Sequence, residues 1–593
     1  MAEYKAPLDD IRFVLNNVFN VGQFWQSLAG IEEVDTDTAD AILEEAAKIC
    51  EQVLAPLNRE GDEEGSHWND GVVTAPKGFK EAYQTYCEGG WGGLGGNPEY
   101  GGMGMPKTLV SAVEEMVQGS CISFGLAPML TAGACLAMNA HAADELKDAY
   151  LEKMYSGQWA GAMDLTEPHC GTDLGLIRTK ATPNGDGSYA LTGTKIFITW
   201  GEHDMAENII HFVLAKLPDA PPGSKGISLF LVPKFLPDAE GNVGDRNPMS
   251  CGSIEKKMGI KASATCVMNF DGAKGWLVGE ANKGLACMFT MMNYERLAVG
   301  IQGMGVAENA YQGALAYAKE RIQGRSPTGA KTPEKEADNL LVHPDVRRML
   351  LTMKALNEGG RAFYTYVASW LDIAKFSDVE KEKAHAENMV ALLTPISKAF
   401  LTDAALQTAV LGQQVLGGHG FIREWGQEQH VRDIRITQIY EGTNGVQAMD
   451  LIGRKTVMAK GELLKLFVDD VDAFLSEKAS GLNSELVLTP LKTALADLQE
   501  STDVVLQQSA DDACAPGAAA VDYLDMFGYV AYAYMWAKIL SALPDAEVSD
   551  SFKAGKEATG LFFFAKLLPQ VKVLKARIAA GSATVMAMTE DQF

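Results

Sequence analysis

The sequence predicts a mostly helical protein with a central β domain and a further helical block at its C-terminal end. Three observations carry that prediction. Apolar residues recur at helical spacing before about residue 160 and again after about 285. Between those points, short β-rich runs alternate with Gly-, Pro- and Asp-rich turns. Beyond residue 456 the helical pattern continues, broken at Ala515-Pro516-Gly517 and Leu543-Pro544-Asp545.

Residues 1–35 read as an N-terminal extension, with helical apolar spacing at Ile11, Leu15, Val18 and Phe19. Residues 36–160 read as an N-terminal helical domain. Asp37 or Thr38 can cap a helix through AILEEAAKICEQVLAPL, with Pro56 near its end. The glycine-rich stretch Glu88 to Pro106 lacks the G-K-[ST] ending of a phosphate-binding loop, so its glycines are expected to serve backbone turns.

Residues 161–285 carry YALTGTKIFIT (Tyr189 to Thr199), IIHFVLAKL (Ile209 to Leu217) and GISLFLVP (Gly226 to Pro233), which predict a small antiparallel barrel or sandwich. Residues 286–455 carry long helical runs, Glu295 to Arg321 and Pro344 to Ala374, around a polar loop from Arg325 to Asn339, as in a helical bundle. Residues 456–593 form the additional helical block. It holds 11 Lys plus Arg against 19 Asp plus Glu, so it is acidic. No G-x-G-x-x-G follows a strand, which argues against a dinucleotide-binding fold.

At 593 residues the chain exceeds what one core usually serves, so several domains are expected. A formal charge of −26 disfavours a nucleic-acid partner, although a local basic pocket can still hold an anionic cofactor. The nine cysteines contain no C-x-x-C pair and no His-clustered spacing, so neither a metal site nor a disulfide framework is expected, and a reducing cytoplasm suits them. The N-terminus MAEYKAPLDDIRFVL lacks the apolar centre of a signal peptide. The longest uncharged apolar run, Met526 to Ala537, is too short to span a bilayer and reads as a buried core helix.

The segment RITQIYEGTNGVQAMDLIGR (Arg435 to Arg454) is the most informative. A carboxylate beside a glycine, Glu441-Gly442, can stand at a chain bend facing a cavity, where desolvation makes it more basic than in water. On these residues alone, Glu441 can equally cap a helix or pair with Arg435 or Arg423.

QIYEGTNGVQ resembles the signature of the acyl-CoA dehydrogenases, in which the glutamate of a Y-E-G-T motif is the catalytic base. Four further segments are similar to motifs of that family, in the same order. MDLTEPHCGTD (Met163 to Asp173) resembles T-E-P-x-x-G-S-D, with Thr172 in place of serine. TGTKIFITWG (Thr192 to Gly201) resembles the flavin-contacting strand, with Phe197 in place of tryptophan. Tyr294 to Arg321 resembles the first helix of the C-terminal four-helix bundle, and GQQVLGGHGFIREW (Gly412 to Trp425) resembles Q-x-x-G-G-x-G-F, 23 residues separating Gly418 from Glu441. The resemblance covers residues 36–455. The extra segments at both ends resemble the longer bacterial subgroup, which includes 3-methylmercaptopropionyl-CoA dehydrogenases and fatty acyl-CoA dehydrogenases of similar size.

The resemblance implies FAD as cofactor and α,β-dehydrogenation of an acyl-CoA to a trans-2-enoyl-CoA, with Glu441 taking the α-proton. Met163, Leu165, Thr166, Gly171, Thr172, Phe197, Ile198 and Thr199 would contact the flavin; Arg321 would hold the pyrophosphate across a subunit interface, near Gln414, Gly417 and Gly418. Thr443 joins this cofactor set, and Thr172, Asn293, Arg296, Tyr440 and Gly442 would face substrate. An electron-transfer flavoprotein is the implied electron partner, and a homodimer or dimer of dimers, with the C-terminal block extending the contact, is the implied assembly. Three departures stand out: the expanded 325–339 loop, His343-Pro344 where a glutamine usually contacts FAD, and Asn293 where an aspartate is common near CoA. An acyl-CoA oxidase using oxygen shares this fold and base. A nucleic-acid-binding flavoprotein of the same fold would carry a basic C-terminal face, and this one is acidic.

Overall fold

A computed structural model describes residues 3–478 and 481–593. The chain forms two compact units, one of Lys48–Met105 and Ser120–Ala298, the other of Met1–Ala47, Pro106–Gly119 and Val299–Phe593.

The β-rich unit is organised around a seven-stranded sheet. Tyr189–Thr199 pairs with Lys180–Pro183 on one side and with the long strand Thr265–Val278 on the other. Thr265–Val278 also pairs with Ile227–Pro233, which pairs with Asn208–Lys216, and Lys216 meets Lys180. The pairings therefore run in a ring, as a small barrel requires. Trp159–Asp164 adds a parallel strand beside Asn208–Lys216, and Met249–Ile254 extends the other edge. Strands 227–233 and 208–215 are buried at every residue, which explains their unbroken apolar runs. Helix Ile122–His141 covers one side and shares a core with the strands through Ala134, Met138, Leu214 and Leu229.

The sequence underreads this part of the chain in two places. His67–Asn69 and Val72–Thr74 form a hairpin inside the segment expected to be wholly helical. Its signal was Asp70-Gly71, both at positive φ, as a two-residue hairpin turn demands. The helix expected to end near Pro56 instead continues to Glu64: a π turn at Cys50–Leu54 re-phases it, so that Pro56 falls in a first turn, where its missing N–H is harmless. That helix is capped by Asp35, which accepts from Thr38 N at 2.7 Å, rather than by Asp37 or Thr38. The glycine-rich loop is a compact turn system, with Gly102 so close to Gly96 that a Cβ would lie 2.2 Å from its carbonyl carbon.

The helical unit is built on Gly284–Glu320, which enters it at Val299, with Pro344–Phe376 and Glu380–Val415. Helix Ala515–Ala542, from the C-terminal block, packs on the last two within the same chain. Trp536 donates to Ala355 O at 3.1 Å, and Gly359 and Gly360 make room for Tyr532 and Trp536. The run Met526 to Ala537 is buried almost throughout, as expected of a helix apolar on all faces. Among the described residues two helices, Ile122–His141 and Glu380–Val415, are nevertheless long and apolar enough to cross a bilayer, and 78% of each apolar window is buried inside the fold. A count of strictly apolar residues misses them because polar residues, glycine and a proline interrupt each run.

The 325–339 loop is ordered around one buried carboxylate. Asp338 accepts from Ser326 N, Lys331 N, Thr332 N and Thr332 Oγ1 at 2.8–2.9 Å. At the other end of the unit, Arg361 is 2% exposed and binds Glu115 (Nε to Oε2, 2.9 Å), Glu308 (3.3 Å) and Asp10. Lys556 joins Asp10 and Glu358, the latter at 3.0 Å. The N-terminal extension and the C-terminal block are thereby tied to the bundle through a single buried charge cluster. All nine cysteines are free thiols.

Candidate active site

Within the β-rich unit, the strand Trp159–Asp164 delivers Leu165 and Thr166 directly to the edge of Tyr189–Thr199, where Ile196 N donates to Thr166 O at 2.9 Å. Lys195 fixes this junction from below. Its ammonium, wholly buried, donates to Leu165 O and to Glu167 Oε1, both at 2.9 Å. Glu167 also accepts from Thr179 N (3.0 Å), Thr179 Oγ1 (2.6 Å) and Arg178 N (2.7 Å). Burial alone raises a carboxyl such as Glu167, but Lys195 and these donors outweigh it and hold the group below its ordinary value. Glu167, His169 and Cys170 bring potential metal donors within 4.8 Å of one another. The Glu167 oxygens are already engaged and His169 Nε2 faces Leu176 O at 2.9 Å, so the cluster reads as a brace for the loop.

Several of the residues expected to contact the flavin lie close to this brace in the chain. Phe197 adopts φ +61 and is 59% exposed, an uncommon pairing of strain and exposure for an aromatic residue. Thr166 and Thr199 are half-buried, and Thr172 is exposed. A Cβ on Gly171 would meet only Thr166 Cγ2, at 3.5 Å, so the protein's own packing does not require that glycine. Ile198 is 2% exposed and its side chain packs on Gly201; the positive φ at Phe197 and the register shift opposite Cys266–Met268 break the alternation that turns Leu191 and Lys195 inward. On helix Gly284–Glu320, Arg296 is buried and its Nη1 lies 3.4 Å from Asn293 Oδ1, the exposed residue one turn before it.

Within the helical unit, Glu441 stands at φ +55 and Gly442 at φ +81. Two successive left-handed residues make a sharp reversal, and glutamate holds that conformation only where its surroundings impose it. The surroundings are explicit. Tyr440 OH donates to Gln302 Oε1, and Gln302 Nε2 donates to Gln118 Oε1 at 3.1 Å. Gln447 Nε2 donates to the carbonyls of Glu441 and Gly442, at 3.3 and 3.2 Å. Thr443 caps the next short helix through Val446 N. Asn444 is clamped on helix Glu380–Val415, receiving Lys398 Nζ at 2.8 Å and donating to Asp403 Oδ1 at 2.8 Å. Glu441 itself is half-buried.

A second site in this unit gathers Arg321, Gly417 and Gly418 around a cavity of about 360 Å³, with Tyr317, Gln323, Leu340 and His419. His419 stacks on Trp425 at 4.4 Å and bonds Tyr317 OH through Nδ1 at 2.8 Å. No atom lies within 4 Å of a Cβ built on either glycine, so bare backbone faces open space beside an exposed guanidinium. That combination fits a phosphate-bearing cofactor. Gln414 is exposed and does not line this cavity. His343 is the N-cap residue of helix Pro344–Phe376, and its Nε2 lies 2.6 Å from the carbonyl of Gln323, which lines the cavity, so the His-Pro departure is a helix start.

Four residue sets escaped the sequence reading: Lys195–Glu167, Gln302–Gln118, Lys398–Asn444–Asp403 and the Tyr317–His419–Trp425 wall. Only the first left a signal, since Lys195 shares the inward parity of Leu191 on its strand and therefore needs a buried partner.

Family models match four consecutive segments: the acyl-CoA dehydrogenase N-terminal domain at residues 36–158, the middle domain at 162–273, the C-terminal domain at 282–456, and an acetyl-CoA dehydrogenase C-terminal-like segment at 467–589. The chain belongs to the acyl-CoA dehydrogenase family, whose cofactor is FAD, and is an enzyme of that class. It is 42% identical to the 3-methylmercaptopropionyl-CoA dehydrogenase of Ruegeria pomeroyi, over 97% of this chain and 98% of that one. It is 34% identical to the broad-specificity linear acyl-CoA dehydrogenase FadE5 of Mycobacterium tuberculosis, over the full length of both. An acyl-CoA dehydrogenase from Bacillus anthracis, solved in complex with FAD, superposes with a TM-score of 0.74 at 19% identity, covering 99% of this chain and 93% of that one, a likeness of fold.

Proposed function

We propose that this chain desaturates an acyl-CoA thioester between its α and β carbons, with Glu441 as the base. The observation that carries the reading is the backbone of Glu441 itself: a non-glycine residue held left-handed by Tyr440, Gln447 and Asn444 presents one carboxylate in a fixed direction. A thioester acidifies its α-hydrogens, and Glu441 takes the α-proton as the carbon–carbon double bond forms. The Glu441 backbone N–H would donate to the thioester oxygen, where negative charge grows. When bound, FAD supplies the acceptor for the β-hydride.

Thr166, Thr172 and Thr199 would offer hydroxyls to the isoalloxazine, with the exposed ring of Phe197 beside it. Arg321, with the bare backbone of Gly417 and Gly418, holds the phosphate-bearing portion, in a dimer whose second subunit supplies that contact. Arg296 and Asn293 face the CoA thioester. The reduced enzyme passes its electrons to an electron-transfer flavoprotein, and the chain works in the cytoplasm. Similarity over nearly full length puts 3-methylmercaptopropionyl-CoA first among substrates, ahead of medium- and long-chain fatty acyl-CoAs.

The test is anaerobic bleaching of the bound flavin by a panel of acyl-CoAs, repeated with Glu441→Gln. The parent is expected to bleach fastest with 3-methylmercaptopropionyl-CoA or a linear fatty acyl-CoA. The variant should bind the same thioester without bleaching; bleaching at the parental rate removes Glu441 from the mechanism.

A further inference from the structure

A cavity of about 330 Å³ in the helical unit takes no part in the proposed dehydrogenation. The N-terminal segment 6–10 forms one wall, helix Gly284–Glu320 supplies Glu308 and Tyr311, helix Pro344–Phe376 supplies Asn357 and Arg361, and helix Asp550–Phe562 supplies Phe552. That volume is near the lower bound for small-molecule sites, so it suits a small occupant. The buried charges around it do not cancel. Four carboxylates, Asp10, Glu115, Glu308 and Glu358, are each at most 8% exposed, and they meet three cations, Arg361, Lys556 and Lys354. Arg361 gives Nε and Nη2 to Glu115 and Nη1 to Asp10. Lys556 joins Asp10 and Glu358, and Lys354 closes on Glu358. Glu308 is left with the far reach of Arg361 Nη2, at 3.3 Å, and two amide donors, Gln312 Nε2 at 3.1 Å and Asn357 Nδ2 at 3.4 Å. It alone among the four lacks a cation at ordinary hydrogen-bond distance, which a buried carboxylate requires.

Asn357 makes the second unmet demand. It is 2% exposed and lines the same cavity; its Nδ2 is directed to Glu308, and its Oδ1 has no hydrogen-bond partner. A buried amide oxygen without a donor costs free energy that an incoming N–H recovers. We propose that this cavity binds a small organic cation carrying a primary ammonium group, held between the Glu308 carboxylate and Asn357 Oδ1.

An ammonium brings one positive charge and three N–H donors, which evens the four carboxylates against the cations and serves both acceptors. Its alkyl stem has the half-buried rings of Tyr311 and Phe552 to lie against. An anion would meet the excess carboxylate, to which the exposed Asp9 beside the cavity adds. A metal ion is not suited either: among the described residues, three potential metal donors come within 4.8 Å of one another only at Glu167, His169 and Cys170. Because segment 6–10 is one wall, an occupant would hold the N-terminal extension against the bundle. This site is independent of the role given to Glu441.

The experiment titrates the full-length FAD-loaded enzyme with propylammonium chloride by calorimetry, at constant ionic strength set with sodium chloride. Amide hydrogen exchange of residues 6–12 locates the binding. One equivalent per chain is expected, with a dissociation constant of about 1 mM and exchange in 6–12 slowed at least about three-fold at saturation. Tetramethylammonium, which has the same charge and no N–H, should bind at least about ten-fold more weakly. Glu308→Gln keeps the shape and removes the excess charge, so it should fold as the parent does and bind propylammonium about ten-fold more weakly. Asn357→Leu, which removes the free acceptor, should weaken binding by a similar factor. The proposal is overturned if propylammonium shows no saturable binding up to about 20 mM, or if tetramethylammonium binds as tightly. It is overturned equally if Glu308→Gln and Asn357→Leu both keep the parental affinity, or if binding leaves exchange in 6–12 unchanged.

Discussion

Asn444 Nδ2 donates to Asp403 Oδ1 at 2.8 Å while Asn444 Oδ1 receives Lys398 Nζ at the same distance, so one amide locks the residue three places after Glu441 onto the adjacent bundle helix. An amide side chain can donate and accept at once. The clamp supports a turn whose left-handed glutamate is otherwise unfavourable.

Asn444→Ala is therefore expected to slow flavin bleaching about ten-fold with little change in acyl-CoA affinity. Asn444→Asp, which keeps the Lys398 contact but sets a carboxylate against Asp403, should be slower still. Stopped-flow bleaching against thioester concentration separates rate from affinity.

Lys195→Met leaves Glu167 buried without its cation. Removing one partner of a buried pair costs about 3–5 kcal/mol, so this variant should melt well below the parent and release FAD more readily. Lys195→Met with Glu167→Leu should recover much of that loss. A double variant no better than the single would show that the pair is not the source of the effect.

Arg361→Met strands Asp10, Glu115 and Glu308 together in the helical unit. It should destabilise by a similar 3–5 kcal/mol and expose the N-terminal extension to proteolysis. Limited proteolysis followed by mass analysis of the N-terminus checks this.

Arg321→Ala should raise the FAD dissociation constant at least about ten-fold at low ionic strength, with the gap narrowing at high salt, where screening weakens the parent's binding more than the variant's. Arg321→Lys should restore only part, because an ammonium lacks the planar fork. Fluorescence titration of apoenzyme with FAD measures both.

Asp525 and Asp372 contribute stability that falls as pH rises toward neutrality, against the opposite contribution of buried His203 and His430, held down to about 3 and about 4. Burial raises Asp525 to about 7 and Asp372 to about 6, whereas unfolded aspartates titrate near 3.9. Between those values these two carboxyls bind more protons in the folded chain than in the unfolded one, so their stabilisation, present below about pH 4, is lost as pH climbs through 6 and 7. Asp525→Asn removes its share. Its melting temperature should gain on the parent's between pH 5 and pH 8, by an amount corresponding to about 2 kcal/mol, and level off above.

The fold order and the Glu441-Gly442 bend were legible in the sequence because each writes itself locally. Tyr189–Thr199 has the boundaries its β-rich run implies, and Pro344–Phe376 extends only two residues past the predicted Ala374, since hydrophobic period and punctuation are properties of neighbours in the chain. The hairpin at His67 and the helix through Pro56 were misread because a D-G turn and a π turn outweigh regional texture.

By itself, then, the sequence determined the succession of helical, barrel and bundle segments and the singular Glu441-Gly442 bend. Only the tertiary structure decided what holds that bend. Gln118, Gln302, Lys398 and Asp403 lie far from Glu441 in sequence, and a polar side chain's partner is chosen by where packing buries it, which no local pattern encodes. The same holds for the barrel's Lys195–Glu167 brace and for the C-terminal block's placement against Gly359 and Gly360. Each is a long-range contact between residues whose own neighbours say nothing of the other.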